Sequence, residues 1–180
     1  MLTGGSVMKK FKQEKKPNMD GINLLVSILV CYPEIGTISF EPKDDSLNLA
    51  FALVKVPENE DFNTVKEFIT DSILTYHILE GFRNAQIDVS LEAQDGTAFL
   101  HIIRDVATIS QGELSLISVL IKDHFGKILL CDAEQMMTEE DGDGVQEDVI
   151  DHMIGSLKIN HIPDRMIGIR EEGRVMVFNK

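Results

Sequence analysis

The run most suggestive of chemistry is Glu139-Glu140-Asp141-Gly142-Asp143-Gly144. Carboxylates alternating with glycines are what a calcium loop uses to wrap a hard cation in oxygen ligands. Setting Gly144 at the loop's required glycine places Glu139, Asp141 and Asp143 at the first three ligand positions. The pattern then fails. Ile150 falls where a bidentate carboxylate must close the shell, and Gln146 where an apolar residue packs. No calcium site is expected, and the run reads as an exposed acidic loop before a helix N-terminus.

The histidines are equally unmarked. His77, His101, His124, His152 and His161 show neither the four-residue helical spacing nor the Glu partner of a zinc hydrolase. Asp148 and His152 share one face of a predicted helix, where such a pair gives local support rather than catalysis. His101 stands in an apolar strand close to Arg104 and Asp105, the best available acid/base group, with a satisfied structural histidine as the competing reading. Cys31 and Cys131 each lie inside an apolar run without ligand spacing; they read as small core residues and suit a reducing compartment. Glycine-rich phosphate loops, dinucleotide fingerprints and Gly-x-Ser-x-Gly elbows are absent from the sequence. Neither a catalytic residue nor a metal or cofactor site is assigned.

Charge narrows the partners. Lys9, Lys10, Lys12, Lys15 and Lys16 against Glu14 give the first 16 residues a net charge of +4, while the rest holds 12 basic and 29 acidic side chains, a net of −17. A body this acidic repels phosphate backbones, so nucleic acid is not expected on the folded part. The apolar run at 22–32 follows a basic start as in a signal peptide. However, Asp20 precedes it, no small-residue cleavage site follows, and it is far shorter than the roughly 20 residues of a membrane span. The expectation is a cytoplasmic protein. Gly4-Gly5 upstream of Met8 is what a purine-rich ribosome-binding sequence encodes, which predicts a start at Met8 and a bacterial source.

Two segments look suited to binding. Residues 114–121 are apolar on more than one helical face, with Ser115 and Ser118 the only polar positions, so this helix must be buried on two sides or shared with a partner. The last strand, with Val175, Met176, Val177 and Phe178, alternates poorly and is expected to be central and buried on both faces; the alternative is an edge that pairs with a partner. Leu116, Val119, Leu120, Val175 and Val177 are therefore the candidate interaction residues. The nearly all-apolar helix at 22–30 adds to the expectation of a homodimer or another protein partner.

The elements that must carry these residues follow from periodicity and turn chemistry. Residues 1–20 read as a disordered basic arm and 21–180 as one α+β domain, with sub-units 21–105 and 106–180. Helices are predicted at 22–30, 61–79, 110–124 and 145–157, the third capped by Ser110 with Glu113 at the capping-box position. Strands are predicted at 37–41, 47–56, 87–92, 98–103, 128–131, 166–170 and 174–179, with turns at 42–45, 94–97 and 171–173. Residues 38–46 and 89–97 match by type at an offset of 51, which suggests tandem α-β-β units. The fold expected is an antiparallel or mixed sheet of hairpins with helices on one face. The function expected is a non-enzymatic adaptor, chaperone-like or regulatory protein-binding protein; the alternative is an enzyme whose acid/base site assembles only in space.

Overall fold

The run at 22–30 has almost no polar face to leave in water, and it forms helix α1 (Met19–Cys31) with Leu24, Leu25, Ile28 and Leu29 fully enclosed. Pro33 denies the helix a continuation. The computed structural model describes residues 19–82, 84–131 and 143–179, without the side chains of 143–148. The acidic run at 139–142, the Asp148 side chain and residues 1–18 of the predicted arm lie outside them. Met19 and Asp20 belong to α1 rather than to the arm, and Asp20 Oδ2 accepts a hydrogen bond from Ser156 Oγ at 3.2 Å.

Three hairpins follow the turn chemistry. Strands β1 (Thr37–Glu41) and β2 (Ser46–Leu53) are joined by a loop ending in Asp45 at φ +46°. Strands β3 (Ile87–Gln94) and β4 (Thr97–Asp105) turn at Asp95-Gly96, and β5 (Met166–Glu171) and β6 (Arg174–Asn179) turn at Glu172-Gly173. Both residues of each two-residue turn have positive φ, the geometry that matches strand twist. Helix α2 (Asn59–Leu79) precedes β3, α3 (Gln111–Phe125) follows β4, and α4 (Asp143–Ile159) precedes β5.

The six strands make one antiparallel sheet in the order β3-β4-β2-β1-β5-β6. The β2–β4 pair joins the first two hairpins and sets Ala50 opposite His101, residues one repeat offset apart. The pairs on either side, Leu49 with Ile102 and Phe51 with Leu100, are symmetric about that point. The internal sequence echo is therefore a local two-fold: β1–β2 and β3–β4 are related by an axis through Ala50 and His101.

Alternation fixes which face is dry. Ile38, Phe40, Leu47, Leu49, Phe51, Val89, Leu100 and Ile102 are buried under the helices. Helix α1 packs on β1, β5, β6 and α4, and α2 packs on β3 and α3. Gly168 in β5 lets α1 come close: a Cβ there would stand 3.0 Å from Leu29 Cδ1 and 3.1 Å from Ile38 Cγ2.

Two strand expectations are corrected. Residues 128–131 do not form a strand; a single bridge, Leu53 to Leu129, ties them to the end of β2. The last strand is not central. β6 ends the sheet, paired with β5 alone among the described residues, and its Met176 and Phe178 are 37% and 49% exposed.

Candidate functional site

A concentrated polar network lies in the interior around Arg104. Arg104, on the covered face of β4, has no exposed surface. Its Nε donates to Glu113 Oε1 at 2.6 Å, and its Nη2 lies 2.9 Å from His77 Nε2. Its Nη1 donates to Asp105 Oδ1 at 2.5 Å and to the Gln86 carbonyl. His77 Nε2 also stands 2.8 Å from Glu113 Oε1, so one ring nitrogen faces a carboxylate that needs a donor and a guanidinium that needs an acceptor. His77 Nδ1 and Glu113 Oε2 are buried without a hydrogen-bond partner. Burial pushes the Asp105 carboxyl up, but the Thr108 hydroxyl, the Gln86 backbone N–H and Arg104 together hold it below the usual aspartate value.

Local structure explains each position. Ser110 Oγ caps α3 by accepting from the Glu113 backbone N–H at 3.3 Å, as the spacing predicts. The Glu113 carboxylate does not complete the capping box; it turns inward to Arg104. The free N-terminus of α3 is served instead by Asp151 of α4, whose Oδ1 accepts from the Gln111 N–H at 2.9 Å. The network thus clamps α2, β4 and α3 together. Arg104, His77 and Glu113 are buried and Asp105 is partly exposed at the rim, so the network is a lock rather than an open site.

The expected acid/base group does not assemble. Arg104 and Asp105 meet, but His101 points to the opposite, uncovered face of the sheet, because residues three apart on a strand point oppositely. There its Nδ1 contacts the Asn48 side chain at 3.2 Å, and its Nε2 lies 3.2 Å from Glu92 Oε2. His152 is exposed on α4.

The α3 interaction candidates also divide. Leu120 is buried, Leu116 is half-buried and Val119 is exposed. Both flanks of α3 are internal. Ser115 Oγ meets Tyr32 Oη at 2.9 Å, and Ser118 Oγ donates to the buried Glu34 Oε2 at 2.9 Å, with Lys122 Nζ 2.9 Å from the other oxygen. The helix is apolar on two faces because the α1–β1 connection encloses it on one side and α2 on the other.

The uncovered sheet face is different in kind. Register places Ser90, His101, Ala50, Thr37, Ile169 and Met176 in one row across it, and Asp88, Ile103, Asn48, Ser39, Ile167 and Phe178 in the next. Each row runs from polar or acidic at the β3 edge to apolar at the β6 edge. Val175 and Val177, singled out by sequence, instead face the helices and pack half-buried against the core. Reasoning from the sequence missed Met176 and Phe178 as the exposed pair; the alternation was there, but a strand assumed to be buried on both faces hides it.

Concavities lie elsewhere on the surface of the described residues. A groove of about 680 Å³ between the start of α2 and the end of α3 is lined by Val56, Glu58, Asp61, Phe68 and His124 among others. A second, of about 350 Å³, lies over the uncovered sheet and includes Thr37, Ala52, Phe99 and Leu130. Among the described residues no helix is long and apolar enough to cross a membrane, and no three His, Cys, Asp or Glu side chains are grouped to hold a metal ion. Comparison with protein-family models, curated proteins and solved structures finds no match.

Proposed function

We propose that this chain is a non-enzymatic cytoplasmic protein-binding protein, of adaptor, chaperone-like or regulatory kind, that receives its partner at the β5–β6 end of the uncovered sheet face. The observation that carries this reading is the gradient across that face, from Asp88 and Glu92 at one edge to Ile167, Ile169, Met176 and Phe178 at the other. Apolar side chains beside an edge strand with no further strand partner are what strand-addition recognition uses, with main-chain hydrogen bonds for affinity and side-chain contacts for specificity. The burial of Arg104, His77 and Glu113 supports the same reading, because this charged cluster serves packing. The test is affinity capture from the source cell with the wild-type chain and with Phe178→Asp. The expected result is a stoichiometric partner protein that the variant no longer retains, with the melting temperature of the two chains within a few degrees. A captured set unchanged by Phe178→Asp overturns the assignment of this surface.

A further inference from the structure

The duplication that relates β1–β2 to β3–β4 also relates their outer edges, and among the described residues only one of these edges is filled. Strand β5 lies on the β1 edge, while no described strand lies on the β3 edge. We propose that the β3 edge is a strand-addition site for a partner protein: its guest is an extended segment that runs antiparallel to β3, with basic side chains opposite Asp88 and Glu92 and apolar or small ones opposite Val89 and Leu91. The site lies at the far end of the sheet from β6 and does not depend on the reading of the β5–β6 face.

The two edges share one hydrogen-bonding phase. Gln94 and Thr97 flank the two-residue Asp95-Gly96 turn and exchange main-chain bonds, as do Glu92 with Phe99, Ser90 with His101 and Asp88 with Ile103. The N–H and C=O groups of Ile87, Val89 and Leu91 therefore point outward. At the repeat offset of 51, Gly36, Ile38 and Phe40 point outward from β1, and β5 takes them up: the Arg170 N–H donates to the Gly36 carbonyl at 3.0 Å. Val89 is 1% exposed, and its outward main-chain groups bond nothing among the described residues; a guest strand satisfies them.

The filled edge shows what such a guest carries. Met166 and Gly168 stand opposite Phe40 and Ile38 beneath the helices, and Arg165, just before β5, places its Nε 3.7 Å from Glu41 Oε2. The echo matches Phe40, Ile38 and Glu41 to Leu91, Val89 and Glu92. Glu92 meets His101 Nε2 at 3.2 Å through Oε2, yet its side chain is 66% exposed. Asp88 stands where the first copy has Thr37, a second exposed carboxylate on the same face. The two repel β3 of another copy and select a cationic guest. A slip of one residue turns the guest's cations under the helices, and a slip of two takes both away from Asp88 and Glu92.

The helices repeat the asymmetry. Helix α1 reaches past β1 to pack on β5 and β6, whereas α2 packs on β3 and α3. Helix α3 lies inward, beside Tyr32 and Glu34, and Tyr76 of α2 turns to it, its Oη 3.5 Å from Ser110 Oγ. On the opposite flank of α2, toward the β3 edge, Leu74 and Ile78 are 37% and 67% exposed. They offer the guest the apolar cover that α1 gives β5.

The probe is a peptide with blocked ends that copies residues 163–171 with Ile169→Lys, which sets a lysine opposite Asp88 and keeps Arg165 opposite Glu92. Titrated into the isotope-labelled full chain, it is expected to bind saturably below about 1 mM. Nuclear Overhauser contacts are expected between Ser90 Hα and the Hα of the peptide residue that copies Ile167, the close pair of this register. Asp88→Lys with Glu92→Lys in the protein is expected to weaken binding about 10-fold or more, since two ion pairs become two like-charge contacts. Should that variant not fold, a peptide with Arg165→Glu and Ile169→Glu decides instead, and is expected not to bind the wild-type chain. Absence of binding at 1 mM, a scrambled peptide of the same composition that binds as well, indifference to both charge reversals, or peptide contacts at Ser39 in place of Ser90 each overturns the proposal. A contact of Ser90 with the chain's own residues 1–16 in the free protein, lost when they are deleted, overturns the assignment to a partner.

Discussion

A guanidinium buried between two carboxylates and an imidazole is stable only as a complete set, because removing one member strands the others in a low-dielectric interior. Arg104→Met is expected to cost about 3–5 kcal/mol in urea denaturation, and Arg104→Met with Glu113→Leu less than the single change, since the uncompensated charge goes with its partner. Equal or additive losses would show that Glu113 draws little from Arg104. Asp105 gives the network a pH signature. Its folded value is lowered, so its contribution is fully present above the ordinary carboxyl range of about 3.9 and is lost as pH falls through the lower folded value. The difference in urea midpoint between wild type and Asp105→Asn is therefore expected to be widest above about pH 5 and to close in strong acid; a gap that widens on acidification would contradict the sign. Residue types alone hid this cluster. Glu113 is legible as a cap residue, but His77, 36 positions away, lies in the stripe of α2 among Ile69 and Ile73 as if it were one more core position. Only the fold brings it to Arg104.

At the scale of elements, local chemistry was readable and neighbourhood was not. The Asp95-Gly96 and Glu172-Gly173 turns, the Ser110 cap and the four helices all lie where sequence places them, because each depends on a few adjacent residues. Whether β6 is central or an edge depends on strand order, which no local pattern encodes. In α2 the same limit shows in side-chain burial: Phe68 and Leu79 recur at helical spacing with the buried Ile69 and Ile73 yet are exposed, while His77 is buried. The α1–β5 contact yields a direct test. Gly168→Ala places a methyl group against Leu29 and Ile38, a squeeze expected to cost about 1–3 kcal/mol by thermal or urea unfolding. A neutral result would mean that α1 can lift from the sheet without loss.

For the whole molecule, a net charge of −13 opposes any meeting of two copies. Association is therefore expected to tighten as salt rises from about 50 to 500 mM, the reverse of a contact held by ion pairs, and sedimentation across that range measures it. Weakening by salt would place attractive charges between the copies. The packing of the first helix on the last hairpin has a consequence of another kind, in time. Helix α1 is apolar nearly all round, and its main neighbours, α4, β5 and β6, all lie beyond residue 142 and are synthesised well after it. At ordinary translation rates about 10–30 s separate the making of the helix from that of its cover. For that interval a strongly apolar segment waits without these partners, an exposure that favours aggregation until they emerge. Ribosome-bound chains halted at residue 131 are expected to leave α1 open to hydrogen exchange, and the finished chain to close it; early protection would mean that β1 and β2 suffice to shelter the helix.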